Sequence, residues 1–145
     1  MPAPAGEWLL MVDGAARGNP GEAGCGAIIF DENGGALGEL YRYLGRTTNN
    51  VAEYEALLLG LERVLHLGGK RLRVESDSQL LVRQLNGLYR VKNEKLKTLH
   101  QRALALLRRL EAWRIIHIPR ENNRLADRLA NRAIDDVANR MLVDR

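Results

Sequence analysis

The 145-residue chain has a single cysteine, Cys25. One thiol excludes an internal disulfide and any metal site built from several cysteines. Flanked by Gly24 and Gly26, Cys25 is expected to be a small packing residue, the common fate of a free cysteine. No apolar run approaches the roughly 18 residues of a membrane span, and no basic-then-apolar leader opens the chain. Repeats, low-complexity tracts and internal linkers are also lacking. These absences leave a cytoplasmic enzyme or binding domain, without membrane association, as the expectation. The length fits one domain. Residues 1–7, small and proline-containing, are expected to be a flexible tail ahead of a single domain over residues 8–145.

The net charge of +4 is unevenly spread, with eight Arg or Lys and one acid, Glu94, between Arg83 and Arg109. The rest of the chain is therefore slightly acidic. A solvated helix face is the ordinary reading of such a run. Its concentration in one stretch also suits a nucleic-acid backbone crossing the surface.

Hydrophobic periodicity orders the chain. Residues 8–12 and 24–30 have strand character, and Asp31-Glu32-Asn33-Gly34-Gly35 supplies a turn into a third strand over 36–44, an antiparallel meander. From residue 52 to 67, Ala56, Leu57, Gly60, Leu61, Val64 and Leu65 follow helical spacing, which Gly68-Gly69 stops. A fourth strand over 71–76 follows that helix, the pattern of a crossover to a parallel neighbour. A short helix over 78–86, a longer one over 94–111, a strand over 113–118 and a closing helix from 125 to about 138 complete the series. The expected fold is α/β: a mixed five-stranded sheet, three antiparallel strands then two parallel, with helices on both faces.

Four carboxylates fall at telling places. Asp13 follows the run Trp8-Leu9-Leu10-Met11-Val12 and precedes a glycine-rich stretch from Gly14 to Gly26, expected to be a turn. Glu53 lies in the first turn of the helix announced by Thr47-Thr48-Asn49-Asn50. Asp77 closes the fourth strand, and Asp127 opens the last helix. Carboxylates at strand ends and helix starts can converge on one crevice of an open α/β sheet. Oxygen-only ligands select hard cations such as Mg²⁺ or Mn²⁺, which suits cutting a phosphodiester. Taken singly, each acid could be a helix cap or surface ion pair, a serious alternative for Asp127 and a weak one for Asp13. Gly18, Gly21, Gly24 and Gly26 do not form G-x-G-x-x-G, and a strand follows them. They are expected to make a tight turn that admits a nucleic-acid backbone.

Four motifs in order carry a resemblance. Asp13-Gly14-Ala15-Ala16-Arg17-Gly18-Asn19-Pro20-Gly21, Arg46-Thr47-Thr48-Asn49-Asn50-Val51-Ala52-Glu53, Ser76-Asp77-Ser78-Gln79 and Asn122-Asn123-Arg124-Leu125-Ala126-Asp127 resemble the acidic motifs of type 1 ribonuclease H. The likeness spans nearly the whole chain. It implies a ribonuclease H-like fold and a monomeric endonuclease that hydrolyses the RNA strand of RNA–DNA hybrids, leaving 5′-phosphate and 3′-hydroxyl ends. It assigns Asp13, Glu53, Asp77 and Asp127 to catalysis as ligands of two Mg²⁺ or Mn²⁺ ions. It also matches Asn19, Asn49, Asn50 and Gln79 to side chains that read the minor-groove side of the hybrid. Arg46, Thr48 and Asn93 correspond to a pocket that grips a DNA-strand phosphate. The 2′-hydroxyl distinguishes RNA from DNA at a given sugar, and short amides and hydroxyls can bond to it. Without the resemblance, Asn49-Asn50 reads as a helix cap.

Two departures stand out. Only Gly87-Leu88-Tyr89-Arg90-Val91 joins the two middle helices, where many bacterial members carry a basic protrusion; Lys92, Lys95, Lys97 and Arg102 are candidates to replace it. The loop before Asp127 has no histidine of the kind thought to assist turnover. His117 falls inside the strand pattern and is expected to be packed. Arg120 is the nearest candidate for the missing catalytic role, although a guanidinium cannot shuttle a proton at neutral pH. Two other readings stay open: a nuclease of this fold acting on double-stranded RNA, and a non-catalytic hybrid-binding module. The Thr-Thr-Asn-Asn motif argues against a branched-DNA substrate. The presence of all four acids argues against the inactive module, since acids buried unpaired are costly.

Overall fold

The continuous apolar run from Trp8 to Val12 suits a strand covered on both faces, and it lies at the centre of the sheet. The computed structural model describes residues 4–143. Strands β1 (Glu7–Gly18), β2 (Gly21–Phe30) and β3 (Ala36–Thr47) form the expected antiparallel meander. Helix α1 (Asn49–His66) crosses to β4 (Arg71–Ser76), which lies parallel to β1. Helices α2 (Gln79–Leu85) and α3 (Glu94–Leu107) lead to β5 (Ala112–His117), parallel to β4, and α4 (Arg124–Val143) closes the described chain. The strand order is β3-β2-β1-β4-β5. This is the mixed five-stranded sheet that the periodicity implies.

Strand pleating sends successive side chains to opposite faces. Leu10 and Val12 of β1, opposite Ile29 and Ala27 of β2, face α1 and join Leu57, Leu61 and Val64 in the main core. Leu99, Ala103 and Leu107 of α3 extend that core behind α1. The other face of β1, β2 and β3 is covered by α4. Its buried residues there are Ala126, Leu129, Ala130, Ala133 and Ile134. No described helix is long and apolar enough to cross a membrane.

Two expectations are corrected. The stretch from Gly14 to Gly26 is not a turn: β1 and β2 pair from Leu9↔Phe30 to Gly18↔Gly21, leaving only Asn19 and Pro20 as the connection. Glycine and alanine carry little strand signal; here they are selected by space. A Cβ on Gly24 would lie 2.4 Å from the Ala130 carbonyl oxygen, and one on Gly26 would lie 2.6 Å from that of Ala126. These two glycines therefore admit helix α4, not a nucleic-acid backbone. The second correction concerns the tail. Pro4 to Gly6 make a turn in which the Glu7 amide donates to the Pro4 carbonyl at 3.1 Å. Glu7 then enters β1, and its carboxylate accepts two bonds from Arg114, at 2.9 and 2.7 Å. Residues 1–3 lie outside the described chain. Cys25 is fully buried against α1, as expected, and burial pushes its thiol pKa up to about 12.

The close seat of α4 predicts a sensitive position. Gly24→Ala is expected to lower the unfolding free energy by about 1–3 kcal/mol through overpacking. A lower urea midpoint at unchanged slope would show it, and an unchanged midpoint would mean that α4 shifts without cost.

Candidate active site

The site begins where β4 stops. Val12 and Ser76 are the last pair of the β1–β4 ladder. Asp13 continues along β1 while the chain after β4 turns away, so Asp13 and Asp77 emerge side by side. The turn is held by the fully buried Ser76, whose Oγ accepts from the Ser78 amide at 3.0 Å. Glu53 arrives from α1, whose start is fixed by Thr48 capping the Val51 amide at 3.3 Å. Gly14 lets that helix come close, since a Cβ there would lie 2.3 Å from the Glu53 nitrogen. The Gly14 amide donates to the Glu53 carboxylate. Asp13, Glu53 and Asp77 each place one carboxylate oxygen within 4.8 Å of the others.

Asp127 lines the same crevice from the first turn of α4, with its Oδ1 accepting from Asn131 Nδ2 at 3.3 Å. It stands outside the tight group of three. Asn123 connects the parts. Fully buried, it donates from Nδ2 to the Val12 carbonyl at 2.9 Å and to Asp77 Oδ2 at 3.2 Å. Its backbone carbonyl accepts the Asp127 amide at 3.1 Å. One side chain thus joins β1, the Asp77 carboxylate and the root of α4.

Electrostatics follow from this burial. Asp13 and Glu53 are only 6% and 4% exposed. Loss of hydration, then the nearby charges of Glu53 and Asp77, pushes the Asp13 carboxyl up to about 10. Loss of hydration likewise raises Glu53, to about 7, against the opposing bond from Gly14. The donors are all oxygen, which fits a hard divalent cation, and such a cation would favour the ionised carboxylates.

The remaining expected residues divide between two recesses. Arg120 and Asn49 line the carboxylate crevice with Arg17 and Ser78. Asn19, Thr48, Asn50 and Asn93 line a second recess with Lys95 and Leu96. There Asn93 caps α3 through the Leu96 amide at 3.1 Å, and Asn19 Oδ1 accepts the Asn49 amide at 3.1 Å. The cap of α1 is therefore Thr48, and Asn49 and Asn50 are its first helical residues. Gln79, exposed at the start of α2, lines neither recess, and nor does Arg46, exposed on β3 opposite Glu22. His117 is exposed at the end of β5, not packed as expected, because β5 is an edge strand. Of the proposed substitutes for the protrusion, Lys97 pairs with Glu94 at 3.1 Å and Arg102 lies 3.8 Å from Glu62.

Residue patterns had not singled out Asn131 or the salt-bridged Arg17. Arg17 Nη2 donates to Asn131 Oδ1 at 3.3 Å and to Asp135 Oδ1 at 2.7 Å, so this pair braces the contact to Asp127. The four-residue step from Asp127 to Asn131 was the available signal.

Known proteins resemble this chain in sequence and fold. A family model described as reverse transcriptase-like matches residues 11–133. Ribonuclease HI of Halobacterium salinarum is 42% identical over 124 residues, covering 86% of this chain and 62% of that protein. The Bifunctional protein Rv2228c of Mycobacterium tuberculosis is 39% identical over 137 residues, covering 94% of this chain and 38% of its own length. The chain thus spans less than two thirds of these relatives. Among solved structures, LC11-RNase H1 in complex with an RNA/DNA hybrid superposes with a TM-score of 0.86 at 43% identity, covering 90% of this chain and 99% of that one. With this fold and this placement of acids, the chain belongs to the type 1 ribonuclease H family.

The raised carboxyls set a pH dependence. A group whose pKa is higher in the folded state stabilises fully below its unfolded value and loses that contribution as pH rises through the folded one. In chelator, the melting temperature is expected to fall between about pH 4 and pH 10, from the ordinary carboxylate values to the raised Glu53 and Asp13 values. Mg²⁺ or Mn²⁺ should restore it, and more so at the alkaline end. Asp13→Asn should flatten the dependence; a profile unchanged by this substitution would place the titration elsewhere.

Proposed function

We propose that this chain is a metal-dependent endonuclease that hydrolyses the RNA strand of RNA–DNA hybrids, leaving 5′-phosphate and 3′-hydroxyl ends. The observation that carries the reading is the convergence of buried Asp13 and Glu53 with Asp77 on one crevice, from β1, α1 and the turn after β4. Family membership and a relative solved with an RNA/DNA hybrid support it. In this reading Asp13, Glu53, Asp77 and Asp127 hold two Mg²⁺ or Mn²⁺ ions. Bound there, the ions would supply an activated water and stabilisation of the departing 3′ oxygen. Asn123 keeps Asp77 turned into the crevice, and Asn131 does the same for Asp127.

The substrate is held by the flanking residues. Asn49 at the crevice and Asn19, Asn50 and Gln79 beside it read the minor groove through amide groups, with the 2′-hydroxyl as the distinguishing contact. Thr48 and Asn93 grip a DNA-strand phosphate in the second recess, and Arg46 adds charge from β3. Arg120, on the crevice rim, helps release the cleaved end by binding its 5′-phosphate through the guanidinium fork. The protein acts as a monomer in the cytoplasm.

Labelled hybrid, double-stranded RNA and duplex DNA, each incubated with Mg²⁺, Mn²⁺ or chelator, test the reading. Cleavage is expected for the hybrid alone and only with metal. Comparable cutting of double-stranded RNA would redirect the substrate assignment. Asp77→Asn, which removes a ligand charge but keeps the shape, should abolish cleavage while hybrid binding largely survives. Near-normal turnover would remove Asp77 from the site. Arg120→Ala should slow steady-state turnover more than a single-turnover cut, with His117→Ala leaving the pH–rate profile in place. A limb lost with His117 would transfer the role to that histidine.

A further inference from the structure

Helix α4 opens with a charge pattern that its own stability does not explain. Arg124, Arg128 and Arg132 recur every fourth residue, so they stand on one side of the helix, each about 6 Å along the axis from the last. Like charges at that spacing repel. Arg124 also sits at the first helical position, where the helix dipole disfavours a cation.

All three line a groove with Asp135 and Asp136, and this groove shares Asp127 and Asn131 with the carboxylate crevice. The two depressions therefore adjoin. The acids at the far end of the groove are already engaged. Asp135 pairs with Arg17 at 2.7 Å. Asp136 lies 3.7 Å from Arg132 and accepts from the Tyr41 hydroxyl at 3.1 Å. Arg132 further rests over the Tyr41 ring, 5.1 Å from its centre. Arg124 and Arg128, both exposed, make no ion pair among the described residues. Two uncommitted guanidinium groups thus flank the crevice on the side of Asp127.

We infer that Arg124 and Arg128 form a phosphate track that continues the crevice along α4 and holds the cleaved strand of the hybrid beyond the cut. The inference rests on the hybrid-cutting reading. Guanidinium forks match phosphate oxygens and position a backbone without reading its sequence. A track of this kind retains substrate in a chain whose middle helices are joined by only a short segment.

The test compares the unsubstituted 145-residue chain with Arg124→Ala/Arg128→Ala and with Arg124→Lys/Arg128→Lys, melting temperatures being matched first. Binding to a long hybrid is followed by fluorescence anisotropy in chelator across a salt series. KM is then measured with Mg²⁺ for the long hybrid and for one trimmed at the crevice. The alanine pair should reduce the slope of log affinity against log salt by about two, one counterion for each lost phosphate contact. KM should rise several-fold more for the long hybrid than for the trimmed one, and the lysine pair should keep the slope. Should the alanine pair fold poorly, Arg128→Glu alone is expected to reduce the slope. An unchanged slope overturns the track. So does an equal loss on both hybrids with kcat falling in step, which would mean that Asp127 had been disturbed. A reduced slope in a protein that cuts no hybrid would keep the track and remove the hydrolytic reading instead.

Discussion

Carboxylates withdrawn from water beside one another are the constraint on which the rest of this structure depends. Burying an unpaired charge is costly, and two neighbouring acids add mutual repulsion. No lysine or arginine answers Asp13 or Glu53 among the described ion pairs. The fold meets this tension with backbone and amide donors. The Gly14 amide serves Glu53 and the Asn123 amide serves Asp77. What these donors leave unmet is an electrostatic demand for positive charge at one point. The arrangement is a stability defect that a divalent cation would convert into an asset.

Small residues make the geometry attainable. Asp13 lies in a central strand covered on both sides, by α1 on one face and α4 on the other. Gly14 opens room toward α1, while Gly24 and Gly26 do so toward α4. The same lack of side chains that weakens a strand in isolation brings two helix ends within reach of the carboxylates. Early termination of β4 completes the opening. Position in the sheet, not unusual chemistry, distinguishes these acids from the surface carboxylates elsewhere in the chain.

Much of this was legible beforehand where burial imposes a period. The fourth strand coincides with its expected limits because Leu72 and Val74 alternate with charged neighbours, Gly68-Gly69 precede it and Asp77-Ser78 follow it. The acids stand out in the sequence by their places at strand ends and helix starts. The reading of the Gly14 to Gly26 stretch failed because its residues were chosen for what packs on them, a relation between distant segments that no local window holds. His117 carried strand periodicity, yet an edge strand need not bury its last side chain. The bracing of Asp127 by Arg17 and Asn131 joins residues 114 positions apart. Only the Asp127-to-Asn131 half of it leaves a local trace.

The thin layer beneath α4 bears on how the molecule opens. Alanines seated on glycines remove little apolar area from water, compared with the leucines that fasten α1 and α3. Subglobal openings begin where buried apolar contact is sparse, so amide exchange along α4 should outpace that of α1 while the sheet stays intact. In such an excursion Asp127 leaves with the helix and Asn123 loosens its hold on Asp77. The centre would come apart at a seam before the domain unfolds. Any ligand that bridged the sheet and α4 would act as a latch across that seam, lowering exchange in the helix far more than in the strands.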